Sequence, residues 1–327
     1  MVNTRNVNVV SMGGGNGLAT LLSGLKLFVT PATPSDVEIG HLAAIVAVSD
    51  DGGSSGRLRD ELNVPPPGDI RNCMVALSED SHLLSQLFRH RFEGNGELGG
   101  HSFGNLFLAA LSEITGDFAE AVRLSSEILA SKGHIFPATT TDVRIAARLA
   151  DGSVVRGETN IGKVGGRIER LYLEPENCEP MPAAVAAILT ADIITIGPGS
   201  LFTSLLPPLI VKGVADAINE SRARKVFLCN LMTQPGETDG LSAAEHLRIV
   251  REYSPDLTFD QIIINNRPIT PEQAESYKQQ GSEQIGVHGS IASGSIEGTQ
   301  VIFADLLDIG EKVRHAPMKL AEVVLNG

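Results

Sequence analysis

Five stretches of the chain read as an apolar strand that runs straight into a loop of Gly, Ser, Asn or Asp, and this repeated junction restricts the fold more than any other feature. The clearest are residues 9–12 entering Gly13, Gly14, Gly15, Asn16 and Gly17, and residues 44–48 entering Ser49, Asp50, Asp51, Gly52, Gly53, Ser54, Ser55 and Gly56. Residues 192–196 lead into Gly197, Pro198, Gly199 and Ser200, residues 226–231 lead through Asn230 into a loop at 233–238, and Ile262–Ile264 lead into Asn265, Asn266, Arg267 and Pro268. Runs of Val and Ile without polar alternation suit parallel strands covered by helices on both faces. The expected fold is therefore α/β, a doubly wound and mainly parallel sheet whose ligand lies beyond the carboxyl ends of the strands.

The order of elements agrees. Leu18, Leu21, Leu22 and Leu25 recur at helical spacing behind the first glycine loop, and a second strand is expected at 41–48. Strand, helix and strand form a βαβ unit, whose connection is right-handed. In a helix-rich stretch, Phe103, Leu106, Phe107, Ala110 and Leu111 mark one apolar face, and Asp117 with Glu120 signals a further helix start. Asp151-Gly152, flanked by two short apolar runs, is a hairpin turn signal. Ser242 with Glu245, and Thr270 with Pro271 and Gln273, open two later helices. The chain is thus expected to be one domain over 1–327, with a helical insertion at about 65–135 and an antiparallel hairpin insertion at about 140–175.

Composition narrows the function. A net charge of −13, no Trp and only 4% aromatic residues give little for nucleic acid to bind. A small anion is still admissible, because backbone N–H groups hold phosphate independently of the global charge. Cys73, Cys178 and Cys229 have no metal-type spacing and read as reduced thiols. No apolar run approaches the ~18 residues of a membrane span and the N-terminus lacks a signal-peptide core, so the expected location is the cytoplasm. A homodimer is the default assembly.

The glycine loops match none of the common catalytic fingerprints. Counting from Gly13, the third position of GxGxxG is Leu18, no GKS or GKT is present, and there is no GxSxG elbow. Gly13 to Gly17 serve either a tight turn or a phosphate cradle at a helix start. Asp50 and Asp51 have three readings: acceptors for ribose hydroxyls, ligands of a Mg²⁺ that bridges diphosphate oxygens, or helix caps. The same pair are the candidate catalytic residues if the protein is an enzyme. Ser54 and Ser55, with Arg57 and Arg59 just beyond them, form a second anion cradle, and Gly197, Gly199 and Ser200 with Thr203 and Ser204 a third. Asp69 and Ser102 read first as helix caps, and His101 has no partner at metal-ligand spacing. Asn230, Asn265 and Asn266, at strand ends, join the candidate ligand contacts.

Taken together, Gly-Gly-Gly-Asn-Gly from Gly13, Ser-Asp-Asp-Gly-Gly-Ser-Ser-Gly-Arg-Leu-Arg from Ser49, Pro-Pro-Gly-Asp-Ile-Arg-Asn to Asn72, Gly-His-Ser-Phe-Gly-Asn-Leu from Gly100 and Gly-Pro-Gly-Ser-Leu-Phe-Thr-Ser from Gly197 resemble the bacterial gluconeogenesis factor family, the YvcK-like proteins. That family is similar in turn to the 2-phospho-L-lactate transferases (CofD-like), which move a phospholactyl group from a nucleotide diphosphate adduct onto a deazaflavin alcohol. The resemblance implies a Rossmann-like core, binding of a UDP-sugar such as UDP-N-acetylglucosamine, and a role in cell shape and envelope synthesis during gluconeogenic growth. It also implies that Tyr277 and Arg314 contact the UDP-sugar. Pro317 stands where some members carry a phosphorylated Thr. A binding protein that regulates is the leading expectation, and a phospholactate-type transferase working on a nucleotide diphosphate with Mg²⁺ is the alternative.

Overall fold

A computed structural model describes residues 4–31, 35–79, 82–286 and 294–327. Its strands are β1 (Arg5–Gly13), β2 (Val37–Val46), β3 (His134–Pro137), β4 (Arg144–Leu149), β5 (Val154–Arg156), β6 (Ile168–Glu174), β7 (Ile193–Ile196), β8 (Arg224–Leu228), β9 (Gln261–Asn265), β10 (Ser295–Ile296) and β11 (Thr299–Ala304). Eight of them form one sheet in the order β10-β11-β9-β8-β7-β1-β2-β3, and β5-β4-β6 form a separate antiparallel sheet. Every pairing in the large sheet is parallel except that of β10 with β11. The fold is the expected Rossmann-like, doubly wound α/β architecture. Its strand order runs outward in both directions from the β1/β7 pair, so the switch point falls between these two strands.

Apolar burial accounts for this layout. Val9, Met12, Ile45, Ile194, Ile196, Val226 and Ile262–Ile264 are essentially inaccessible to solvent, as strands covered on both faces require. Leu18, Leu21, Leu22 and Leu25 point one face of the Gly15–Leu25 helix inward, and this helix packs against Gly68–Leu77 and Pro317–Asn326. In register, Met12 lies opposite Ile45 on one side and Ile196 on the other, so the loops after β1 and β7 start level with each other.

Several local signals act as read. Asp117 caps the Phe118–Ile128 helix, and Ser242 with Glu245 and Thr270 with Gln273 form complete capping boxes. The Asp151-Gly152 hairpin joins β4 to β5. Three details differ. The second strand starts at Val37 and ends at Val46, because the chain pairs with β1 from Arg5 onward across a register shift at Val7/Asn8. The Phe103–Thr115 helix buries Gly104, Asn105, Leu108, Ala109 and Ser112, a face rotated from the expected one. Its Phe103 and Phe107 instead pack against Phe88, with ring centroids 6.0 and 5.1 Å away. A helix at Glu158–Val164 interrupts the hairpin insertion, where the sequence pattern predicts only strands.

Cys73, Cys178 and Cys229 are free and buried. Among the described residues no single helix is long and apolar enough to cross a membrane.

Candidate functional site

The loops after β1 and β7 meet at the switch point. Gly17 passes so close to the second loop that a Cβ on it would lie 2.3 Å from the Pro198 carbonyl oxygen, so a residue with a side chain would push the loops apart. Gly199 is near the first loop in turn, its Cβ direction pointing to the Gly14 oxygen at 3.5 Å. The Gly15–Leu25 helix begins here, and its N-cap, Gly14, has no side chain to occupy the leading N–H groups. Asp69 takes the Gly15 N–H, and the N–H groups that follow it are suited to an anion.

Beyond these loops opens a cleft of about 600 Å³, lined on one side by Asn16, Gly17 and Thr20 and on another by Pro198, Gly199 and Ser200. Asn230 lies between the walls and fixes one of them. Its Oδ1 accepts from Gly199 N at 3.0 Å and its Nδ2 donates to Gly199 O at 2.7 Å, which pins that peptide in both directions. Ser200 is fixed too, donating from Oγ to Glu237 Oε2 at 2.5 Å and capping Thr203 N. Burial raises the Glu237 carboxyl, and this hydrogen bond offsets only part of the effect.

Arg314 lines the cleft and has an exposed side chain. Tyr277 has a different part in the site from the expected ring contact: it is absent from the cleft lining, and its hydroxyl accepts from Val313 N at 3.1 Å. It acts on the backbone next to Arg314. Asn265 and Asn266 also lie outside this lining. The Asn265 side chain shapes the turn after β9, donating to Arg267 O at 2.6 Å and accepting from Leu306 N at 3.0 Å. Asn266 is exposed and donates its N–H to Ala304 O.

The second predicted loop contributes no residue to this lining, so Asp50, Asp51, Ser54 and Ser55 lie outside it. Asp50 accepts from Gly52 N at 2.8 Å, a local turn at the start of the Gly53–Leu62 helix. Asp51 accepts from both N and Oγ1 of Thr159 at 2.9 Å, holding the start of the insertion helix. The carboxyl groups that crowd Asp50 are instead those of Asp69 and Glu158. Burial first, then the charge of Asp50, pushes Asp69 up to about 7, although it accepts a hydrogen bond from the Gly15 backbone. Burial, then Asp50 and Asp69, pushes Glu158 up to about 9. Gly14 has to be glycine for this contact, since a Cβ there would lie 2.5 Å from Asp69 Oδ2. Ser54 and Ser55 are buried behind the cluster: Ser54 Oγ is 3.0 Å from His101 Nδ1 and accepts from Asn105 Nδ2 at 3.2 Å, while Ser55 lies against Gly68.

Asn72, Arg89, Gln234 and His315 all line the cleft. The sequence pattern does not single out Arg89 and His315, names Asn72 and Gln234 only as members of longer motifs, and presents Asp69 as a cap. The cap position of its helix is in fact Pro67. Arg71 donates to Asn72 Oδ1 at 2.6 Å, which leaves the Asn72 NH₂ group as a donor for the cleft. His315 is held by the Cys229 backbone, and burial pushes its imidazole down to about 4, so it brings no charge at neutral pH. Nothing local marks Glu158 in the sequence, because only the folding of the hairpin insertion brings it to Asp50.

A helix start whose N-cap is a glycine, two clasped glycine loops and a cleft at the sheet's switch point define a doubly wound α/β protein with an open cleft at the carboxyl rim. The profile of the family described as "2-phospho-L-lactate transferase CofD" matches residues 9–307. A protein named gluconeogenesis factor from Halalkalibacterium halodurans is 43% identical over 98% of this chain and 96% of its own length. Another of that name, from Bacillus subtilis, is 41% identical over 97% of both chains. A crystal structure of a upf0052-family protein from Bacillus halodurans superposes with a TM-score of 0.91 at 42% identity, covering 98% of this chain and 100% of that one. The chain belongs to the gluconeogenesis factor family, within the wider CofD-like family.

Proposed function

We propose that the cleft binds a UDP-sugar of the UDP-N-acetylglucosamine type and that the protein acts through this binding, in the cytoplasm, in cell shape and envelope synthesis during gluconeogenic growth. The observation that carries the reading is the clasp of Gly17 on Pro198, which brings a helix N-terminus and a second glycine loop to one wall of a cleft that also contains Arg314. In this reading the diphosphate rests on the two loops, and the Arg314 guanidinium adds a charge-assisted contact. Calorimetry with UDP-N-acetylglucosamine on wild type and Arg314→Ala tests it. Saturable binding that weakens about ten- to hundred-fold in the variant supports it, the range expected for one charge-assisted contact. Heat-silent titration of the wild type, with no thermal shift, overturns it.

A transferase is the second reading, and the carboxyl cluster favours it. Asp51 is engaged by Thr159, whereas the charge of Asp50 helps to raise Asp69 and Glu158, crowding that a nearby cation would relieve. Among the described residues no three acidic, His or Cys side chains form a ready ligand set, so ligand phosphate and water would complete the shell. A bound Mg²⁺ would supply charge neutralisation at the diphosphate. The chain's own residues would position that diphosphate and, through the protonated Glu158, hold a proton at the edge of the site. Steady release of UMP or UDP from a nucleotide adduct with cell extract would favour this reading.

A further inference from the structure

The charge of the cleft wall is opposite to that of the protein. The chain has 39 acidic and 26 basic residues, yet the residues that line the cleft include two arginines, Arg89 and Arg314, and no Asp or Glu. The two come from distant parts of the fold. Arg89 ends the His82–Arg89 helix of the helical insertion, and Arg314 precedes the Pro317–Asn326 helix. By contrast, Arg267 and Lys319 share Asp305, and Arg91 donates to the Gly100 carbonyl. Both cleft arginines are exposed, and among the described residues neither has an ion pair.

Arg89 also lies close enough to Arg71 to act on its charge. Arg71, partly buried and one residue from the cleft-lining Asn72, has its pKa lowered by burial and by the charges of Arg91 and Arg89, against Asp69 and Asp50. Arg91 and Arg89 thus act on Arg71 against two carboxylates, and an anion placed beside Arg89 would lower the repulsion that remains. A lone C-terminal helix cation would need only the helix dipole, which either Lys or Arg satisfies. A guanidinium facing an open cleft, with a second one in the same lining, suits bidentate contact with phosphate oxygens.

We infer that Arg89 is a second phosphate-binding arm, so that the ligand carries two charged groups and a nucleoside diphosphate is selected over a monophosphate. The inference rests on the proposed nucleotide reading of the cleft and assigns its selectivity. The phosphate nearer the glycine loops takes Arg314 and the backbone N–H groups, and the other takes Arg89 with the Asn72 amide beside it.

The test compares UDP-N-acetylglucosamine, UDP and UMP by calorimetry on wild type, Arg89→Ala, Arg89→Lys and Arg222→Ala. Arg222 is an exposed residue before β8, at the opposite rim of the sheet, and controls for the general loss of positive charge. The expected result is a loss of about ten- to hundred-fold for UDP and the UDP-sugar in Arg89→Ala, with less than about threefold for UMP. Arg89→Lys should recover only part of that loss, Arg222→Ala should match wild type, and all four should melt together. If wild type binds UDP but Arg89→Ala binds it equally well, or loses UDP and UMP alike, this inference falls and the nucleotide reading stands. If wild type binds no uridine compound, both fall.

Discussion

Tyr277 and Val313 are joined by a 3.1 Å hydrogen bond from the Val313 N–H to the tyrosine hydroxyl oxygen, so Tyr277 positions the residue next to Arg314 and stands outside the cleft lining itself. A ring that stacked on a base would lose little on conversion to Phe. A hydroxyl that holds the backbone would lose its function altogether. Tyr277→Phe is therefore expected to weaken UDP-sugar binding about three- to tenfold, the worth of one ordinary hydrogen bond. Stopped-flow or surface-plasmon measurements should place the change in the dissociation rate. Unchanged binding in Tyr277→Phe together with lost binding in Tyr277→Leu would return the residue to a stacking part.

The close approach of Gly17 to Pro198 leaves no room for a side chain. A methyl group at Gly17 would meet the Pro198 carbonyl at 2.3 Å, and backbone on both sides cannot yield as a flexible side chain would. Gly17→Ala should destabilise the protein by about 1–3 kcal/mol, the usual cost of overpacking, and should abolish ligand-induced stabilisation by parting the loops. Ala at Gly116, an exposed position with nothing within 4 Å of its Cβ direction but a φ of +69°, gives the comparison: strain at the helix end and full ligand response. Thermal melts with and without UDP-N-acetylglucosamine check both.

Much of the fold was legible because the sheet is covered on both faces, and such strands announce themselves as unbroken Val and Ile runs ending in glycine loops. The loops after β1 and β7 could be paired for the same reason, since the rim of a doubly wound sheet gathers the loops at the carboxyl ends of its strands; of their residues Asn16, Gly17, Pro198, Gly199 and Ser200 line the cleft, and Gly13, Gly14, Gly15 and Gly197 do not. Contacts between elements far apart in sequence could not be read. Asp51 sits beside Asp50 in the chain, but its carboxylate serves Thr159, 108 positions away. Asp69 and Glu158 replace it, one from a helix start and one from an insertion whose packing no local pattern encodes. Arg89, at the end of an amphipathic helix, looks in sequence like any solvated helix terminus. Tyr277 and Arg314 were found together through the family resemblance, and only the geometry separates their parts.

The crowded carboxyl groups make stability depend on pH with a definite sign. Asp69 is raised to about 7 and Glu158 to about 9, so between their ordinary values and these the folded protein binds more protons than the unfolded chain. Stability then falls as pH rises, starting near pH 4 and continuing to about pH 9. Asp69→Asn and Glu158→Gln, which remain neutral, should match wild type near pH 4 and melt at progressively higher temperature than it by pH 8. Mg²⁺ should narrow the gap by stabilising wild type alone. A constant difference across this range, in melts taken at every half pH unit, would show that the two groups titrate alike in the folded and the unfolded chain.

Asn230 clamps the Gly199 peptide from both sides, accepting from Gly199 N and donating to Gly199 O, a pattern that only an amide satisfies. Asn230→Asp keeps the acceptor and removes the donor, leaving a carboxylate oxygen facing the Gly199 carbonyl and adding a negative charge to a cleft wall that has no Asp or Glu. Asn230→Ala removes both bonds but adds no charge. If the wall exists to receive phosphate, Asp should be the worse substitution for binding, by about tenfold or more over Ala. The excess should shrink in high salt, because repulsion across a solvent-open cleft is screened. If the wall serves only to pack the loop, the two variants should lose melting temperature in proportion to their affinity, with no salt dependence between them. Calorimetry at low and high ionic strength, paired with melts in the same buffers, separates the two outcomes.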